Sequence, residues 1–146
     1  QEIENMALPM NFLKQAMGPY DNQLARSLDK QFETKKWFKY QREASLKYQP
    51  LEKCGQHRDD FDKYFENQLE GLNYLINKFS KFTSTQIEAV ATLYACWKEA
   101  IENNELLNDK LIITKFYNWS KEKEKFQEDN LVKALTWMRN NGIYPK

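Results

Sequence analysis

The feature that most constrains this sequence is a series of apolar residues spaced three or four apart, the period of one face of an α-helix. The longest run lies between residues 57 and 80, and its members are Phe61, Phe65, Leu69, Leu72, Ile76 and Phe79. A second run contains Ile87, Val90, Tyr94, Trp97 and Ile101. An apolar stripe on a helix is buried against another element, so both runs are predicted to face a core.

Capping residues predict where these and the other helices begin and end. Asp21 is a predicted N-cap for a helix carrying Leu24, Leu28 and Phe32, and Thr83 with Gln86 has capping-box spacing. Asn108 or Asp109 precedes Ile112, Ile113, Phe116 and Tyr117, and Glu128 or Asp129 precedes Leu131, Leu135 and Met138. Predicted helix ends lie at Asn103-Asn104 and at Asn141-Gly142.

Two further segments complete the predicted fold. Ile3, Met6, Met10, Leu13 and Met17 predict a first helix that Pro9 kinks and Gly18-Pro19 ends. Residues 37–51 alternate aromatic and basic side chains and predict a small hairpin lying against neighbouring helices. We therefore expect an all-α fold of about six helices with one small β-hairpin. Residues 1–56 and 57–146 are the two predicted parts, packed as one domain of a larger protein.

Composition limits the setting of the protein. The mean hydropathy of −0.85 and the lack of a long apolar run argue against a membrane span. Cys54 and Cys96 are too few for a disulfide framework, and Cys96 lies in an apolar helical pattern, so we expect a reducing, cytoplasmic location with Cys96 buried. Because the chain starts at Gln1 without a leader pattern, we expect a fragment of a longer protein.

Charge is distributed unevenly along the chain. Segments 1–29, 30–58, 59–105 and 106–146 carry −2, +5, −5 and +3, which sum to the net charge of +1. The basic segment suits an anionic partner and the acidic one a protein partner, although the two could also complement each other.

Catalytic and metal-binding signatures are weak. The four glycines match no phosphate-binding loop, and Cys54 with His57 is one ligand pair without the second pair that zinc needs. His57, the single histidine, stands before Asp59 and Asp60 as at a helix start. Asp21 with Glu33 and Lys35 suggests a nuclease, but twelve residues of helix would separate the two acids by about 18 Å. We therefore expect no catalytic residue, no metal and no cofactor.

Several segments resemble a helical accessory module of type I restriction-modification proteins, in their restriction or specificity subunits. The segments are Gly18-Pro19-Tyr20-Asp21, Trp37-Phe38, residues 57–65, residues 91–97, Leu135-Thr136-Trp137-Met138, Asn141-Gly142-Ile143 and Pro145. The Gly-Pro-Tyr element is also similar to one in antitoxins of toxin-antitoxin pairs. The resemblance implies bacterial defence, with other subunits of the complex as partners and DNA cleavage or methylation carried out elsewhere in a parent endonuclease/methyltransferase.

Two regions are predicted to contact DNA. The last three helices followed by residues 142–145 have the order of a helix-turn-helix with a short terminal strand. There Lys133, Arg139, Asn140 and Asn141, on or after the last helix, would read bases in the major groove, while Lys121, Lys123 and Lys125 would contact phosphates. The hairpin offers Lys35, Lys36, Lys39, Arg42 and Lys47 beside Trp37, Tyr40 and Tyr48. The alternative is that its rings face the core and its lysines extend over them.

These observations lead to two hypotheses of function. The first is a non-catalytic assembly or DNA-docking module of a type I restriction-modification enzyme. The second is a protein-interaction module, antitoxin-like or subunit-docking, that uses the acidic helices of residues 59–105 and makes no DNA contact.

Overall fold

The computed structural model describes residues 10–41 and 48–146. In these ranges six α-helices and two antiparallel two-stranded hairpins are present. The helices are α1 Asn22–Thr34, α2 Arg58–Tyr64, α3 Leu69–Phe79, α4 Ser84–Glu102, α5 Asp109–Tyr117 and α6 Glu128–Asn140. The strands are β1 Leu13–Gln15, β2 Gly18–Tyr20, β3 Phe38–Tyr40 and β4 Tyr48–Pro50. The fold is mostly helical, with one hairpin more than predicted.

The chain forms two compact units. The larger unit combines the residues up to Tyr20 with Tyr74–Lys146, and the smaller unit is Asp21–Asn73, so the division falls within α3. The predicted parts met instead after residue 56. No helix within residues 10–41 and 48–146 has both the length and the apolar composition that crossing a bilayer requires.

The core of the larger unit lies between α4, α5 and α6. Its buried side chains include Leu93, Cys96, Ile112, Phe116, Leu131, Leu135, Met138 and Ile143. Cys96 is fully buried as predicted, and burial raises the pKa of its thiol to about 12, which leaves it uncharged and unreactive at neutral pH. Of the stripe predicted on α4, Val90 and Trp97 are buried and Ile87 is 43% exposed, while Ala89, Leu93 and Ala100 are buried beside the predicted residues.

Predicted helix-end signals are confirmed at four places, whereas α6 follows Gln127, which makes no side-chain capping hydrogen bond. Asp21 accepts a hydrogen bond from Leu24 N–H at 2.9 Å, and Asn108 accepts one from Leu111 N–H at 2.9 Å. Thr83 and Gln86 form the reciprocal capping box. Gly142, with φ +66°, ends α6 in a left-handed turn in which Ile143 N–H donates to Met138 O at 2.8 Å.

Three predictions of local structure were wrong. The helix predicted through Met17 lies outside the described residues at 1–9, and from Leu13 to Tyr20 the chain is instead the hairpin β1–β2. The helix predicted for residues 57–80 breaks at Phe65, which packs its ring on Phe61 at 4.8 Å, and a 3-10 turn Glu66–Gln68 precedes α3. No terminal strand follows α6, because Ile143 enters the core and Tyr144 stacks on Trp97.

The smaller unit has a shallow core of aromatic rings. Phe32 of α1 meets Phe38 of β3 at 6.0 Å and Tyr48 of β4 at 6.2 Å between ring centroids. His57 packs on Trp37 at 4.9 Å. The predicted hairpin therefore exists as the pair β3–β4 and lies against a helix, and residues 42–47 lie outside the described residues. Every hydrophobic residue that the structure describes as buried lies in the larger unit, so the stripe predicted as core on α2 and α3 is only partly covered.

Candidate functional site

The hairpin β1–β2 exposes apolar side chains. Phe12 is 55% exposed, Leu13 52%, Met17 55% and Tyr20 49%. Exposed apolar groups clustered on one element are typical of a binding surface, because scattered single residues are common whereas patches are not. This hairpin, with Phe12 before it, is called the apolar hairpin below.

The apolar hairpin is held firmly on the larger unit. Gly18, at φ +132°, lies so close to α4 that a β-carbon there would sit 3.1 Å from Thr92 Oγ1. Trp119 Nε1–H donates to Gln15 O at 2.7 Å, and the Ser120 hydroxyl donates to Ala16 O at 2.8 Å. These contacts override the local helical period of residues 10–17, and they hold the apolar side chains in place.

A groove of about 560 Å³ lies beside the apolar hairpin along α4. The lining residues are Phe12, Leu13, Lys14, Pro19, Ala91, Tyr94, Ala95, Lys98, Glu99, Glu102 and Trp119. Lys14 Nζ lies 4.8 Å from the centre of the Trp119 ring, and this cation–π contact joins the apolar hairpin to Trp119. The groove is largely apolar toward the start of α4 and charged toward its end. Such a mixed concave surface can hold an amphipathic segment.

The charge run at residues 121–125, whose three lysines are predicted to contact phosphates, packs against α4 through Glu88. It forms a 3-10 turn, Lys121–Lys125, in which Lys123 is fully buried. Lys123 Nζ lies 2.7 Å from Glu88 Oε1, and Lys125 Nζ lies 3.0 Å from Glu88 Oε2. Burial alone would raise the pKa of Glu88, but the hydrogen bonds from the two lysines outweigh it and lower the pKa.

The burial of Lys123 corrects its predicted role. An ammonium with no exposed surface is unavailable to a DNA phosphate, and Phe116 and Phe126 flank it at 5.5 and 5.8 Å. Lys125 is partly exposed but shares the same carboxylate, and Lys121 is exposed. Of the three predicted phosphate contacts, Lys123 is thus excluded by burial, and Lys125 is already paired with Glu88.

The basic residues of the second hairpin are largely engaged with acids. Lys36 Nζ lies 2.7 Å from Glu52 Oε1, and Lys39 Nζ lies 3.7 Å from Glu33 Oε1. Lys35 is exposed at the end of α1, whereas Arg42 and Lys47 lie outside the described residues. The Tyr48 hydroxyl donates to Asp29 at 2.7 Å, and its ring contacts Phe32. This arrangement favours the alternative in which the rings face the helix.

On α6 the predicted base-reading residues differ from each other. Arg139 forms a two-point ion pair with Asp109 and stacks over Trp97 at 4.9 Å, so its guanidinium supports the packing of α6. Lys133 and Asn140 are exposed. Because they are seven residues apart on one helix, they share a face.

The side chains considered for metal and nuclease chemistry are separated. Asp21 and Glu33 lie at opposite ends of α1, and Asp21 is occupied as its cap. Cys54 is exposed, and His57 packs in the aromatic cluster with its Nδ1 buried. In the part of the chain that the structure describes, no three His, Cys, Asp or Glu side chains gather as metal ligands would.

Sequence reasoning missed the apolar hairpin as a site. Gly18-Pro19-Tyr20 signals a break in the helix, but the strands on either side of the turn are three residues long. Such short strands show too little alternation of side chains to be distinguished from a helix by spacing. Its anchors, Trp119 and Ser120, lie 104 residues away from the carbonyls they bind. No family model matches the chain, and neither does any curated protein or solved structure.

Proposed function

We propose that this chain is a non-catalytic assembly module that binds another protein through the apolar hairpin and the adjoining groove on α4. The observation that carries this proposal is the exposure of Phe12, Leu13, Met17 and Tyr20 on an element that Gly18 and two side-chain hydrogen bonds fix in place. A hairpin that is rigidly held and apolar outward reduces the ordering cost of binding. The resemblance to type I restriction-modification proteins suggests the partners, which are the other subunits of such an enzyme.

Protein docking is favoured over DNA docking by the state of the basic residues. Lys36, Lys39, Lys123, Lys125 and Arg139 each lie within ion-pair distance of a carboxylate in their own unit. Such pairing cancels the local positive potential on which DNA affinity depends.

Assembly is tested by co-expressing the tagged chain with the restriction, modification and specificity subunits of the type I system from the same genome. We expect at least one subunit to co-elute in size-exclusion chromatography, and a Leu13→Asp/Met17→Asp variant to lose it. Val132→Asp is the matched control, because Val132 is 40% exposed on α6, away from the apolar hairpin in sequence. If none of the subunits co-elutes with the chain, assembly into such an enzyme is refuted.

DNA docking is a second candidate because Lys133 and Asn140 are exposed on one face of α6. DNA docking predicts that the chain binds a labelled duplex in a fluorescence polarisation titration, with an affinity that decreases between about 50 and 200 mM salt. The affinity should also decrease in a Lys121→Ala/Lys133→Ala/Asn140→Ala variant. A Lys36→Ala/Lys39→Ala variant is the control, since both lysines already have acidic partners. We expect no binding at about 50 mM salt, and salt-sensitive binding would favour the DNA reading instead.

A further inference from the structure

The face of α4 that lines the groove has the spacing of a helix-packing stripe. Ala91, Tyr94, Ala95, Lys98 and Glu102 follow one another at intervals of three, one, three and four residues. Small residues at 91 and 95, one turn apart, allow a second helix to approach closely, because interaxial distance depends on the side chains at the contact. From Ala91 to Glu102 the helix rises about 16 Å, which corresponds to roughly three turns of a partner helix.

Charge gives this groove a direction. At the end of α4 the ammonium groups of Lys98 and Lys115 lie within ion-pair distance of the carboxylates of Glu99, Glu102 and Glu105, which leaves one net negative charge there. Lys14, the other cation of the groove lining, lies over the Trp119 ring. The carboxylates of Glu99 and Glu102 belong to side chains that are 48% and 62% exposed. The C-terminal end of a helix also carries a partial negative charge, and it favours cations. A cationic group on a ligand is therefore favoured at this end and not at the apolar end.

We propose that the groove binds an amphipathic helix of the partner protein, with its apolar stripe over Ala91 and Ala95 and an Arg or Lys in a terminal turn beside Glu99 and Glu102. This inference rests on the proposed function and specifies its partner. The apolar hairpin supplies the second wall, where Phe12 and Leu13 cover the side of the bound helix. The mode is that of a helix in a groove, in which residues at i, i+3, i+4 and i+7 are the anchors.

The probe is a fluorescein-labelled amphipathic helical peptide of about fifteen residues with leucines at i, i+3, i+4 and i+7 and two arginines in its last turn. A matched peptide carries two glutamates in place of the arginines. Fluorescence anisotropy with the full chain should show the arginine peptide binding tighter by up to about fivefold, since one exposed charge contact contributes at most about that factor. Equal binding of both peptides would overturn the assignment of the charged end.

Two variants locate the peptide. Ala95→Arg fills the groove floor and should weaken binding at least about tenfold, as expected when an anchor pocket is blocked. Glu102→Lys, at an exposed position that tolerates substitution, should reverse the preference toward the glutamate peptide even if Ala95→Arg fails to fold. Lys133→Glu on α6 is the control and should leave both affinities unchanged. If the Ala95→Arg variant keeps its affinity for the peptide and an intact circular dichroism spectrum, the groove is not the binding site.

The two proposals fail in different ways. If a restriction subunit co-elutes with the Ala95→Arg chain as well as with the original, assembly stands and the groove is refuted as its site. If the arginine peptide binds but no subunit co-elutes, the groove stands and the restriction enzyme is refuted as the partner. Reversible self-association in sedimentation equilibrium that Ala95→Arg abolishes would make a second copy the occupant and would overturn the partner helix.

Discussion

At the scale of single residues, the Glu88 carboxylate pairs with two lysines of the turn at 121–125. Its two carboxylate oxygens receive Lys123 and Lys125 separately, and its backbone carbonyl accepts the hydroxyl of buried Thr92 at 2.8 Å. A buried ammonium is tolerated only when it is paired, because the interior does not solvate it. Glu88 thus stabilises a lysine that would otherwise prevent the turn at 121–125 from packing.

Removing the Glu88 charge should destabilise the larger unit strongly. Glu88→Gln keeps the shape of the side chain but leaves buried Lys123 without a counter-charge, and breaking such pairs costs about 3–5 kcal/mol. The free energy of unfolding from urea titrations at pH 7 measures this loss. Glu122→Gln, an exposed acid in the same turn, is the control and should change stability by less than about 0.5 kcal/mol. Similar values for both variants would refute the role of the ion pair.

The same carboxylate predicts a pH dependence. Because the pKa of Glu88 in the folded chain is lowered from its ordinary value of 4.5, its stabilising contribution is complete above that pH and is lost as the pH falls toward the folded pKa. Thermal melts below pH 5 should therefore show stability decreasing more steeply in the original chain than in Glu88→Gln. Parallel curves for the two proteins would contradict this assignment.

Residue-level prediction from sequence succeeded where the partner is nearby. The caps at Asp21, Thr83 and Asn108 each bond a backbone amide within three residues, so spacing alone reveals them. Lys123 was assigned to DNA phosphates because its partner, Glu88, is 35 residues away in the sequence. Distant pairing of this kind leaves no local signal.

At the scale of elements, the apolar hairpin depends on one glycine. Gly18 combines a backbone conformation that other residues rarely adopt with a close approach to Thr92. The positive φ angle and the close contact occur at the same residue, where β2 packs against α4. The element is therefore more sensitive to a methyl group here than an isolated turn would be.

Gly18→Ala should destabilise the larger unit more than Gly142→Ala. Gly142 has φ +66° with no atom near its absent side chain, so alanine there incurs only the conformational cost of about 1–2 kcal/mol. Gly18→Ala adds a steric contact at 3.1 Å and should also lower the protection of hairpin amides in hydrogen exchange. Stability measured by denaturant unfolding checks the order of the two variants, and a smaller loss at Gly18 would refute the close-approach argument.

Elements were predicted well where many residues repeat the helical spacing, and poorly where the element is only a few residues long. α4 and α5 begin at the predicted caps Thr83 and Asn108, and α6 ends at the predicted Gly142, so the positions of these helices were found from sequence. The run from Phe61 to Phe79 has an equally regular period, yet it breaks at Phe65. Regular spacing shows that a helix can form, but whether it stays continuous depends on the surface available to cover it.

At the scale of the whole molecule, the two units are unequally packed. The larger unit contains all the buried hydrophobic residues that the structure describes, whereas the smaller unit relies on partly exposed rings around Phe32, Trp37 and His57. Apolar burial is the main source of stability, so the smaller unit has the lower local stability.

Native-state hydrogen exchange should separate the two units. Amides in the middle of α1 should exchange through openings of lower free energy than amides in the middle of α4, by about 2 kcal/mol or more, which is what burying one further leucine or phenylalanine contributes. Mass spectrometry of exchanged peptides resolves the two helices. Equal protection would indicate that the units unfold together.

The hydrogen bonds from Trp119 and Ser120 to the apolar hairpin also have a consequence for the nascent chain. Residues near the start cannot be anchored until residues 104 positions later have been translated. At about 5–20 residues per second, Phe12, Leu13, Met17 and Tyr20 remain outside the ribosome without that anchor for roughly 5–20 seconds. During this interval these four side chains form an unprotected hydrophobic stretch, of the kind that holding chaperones bind.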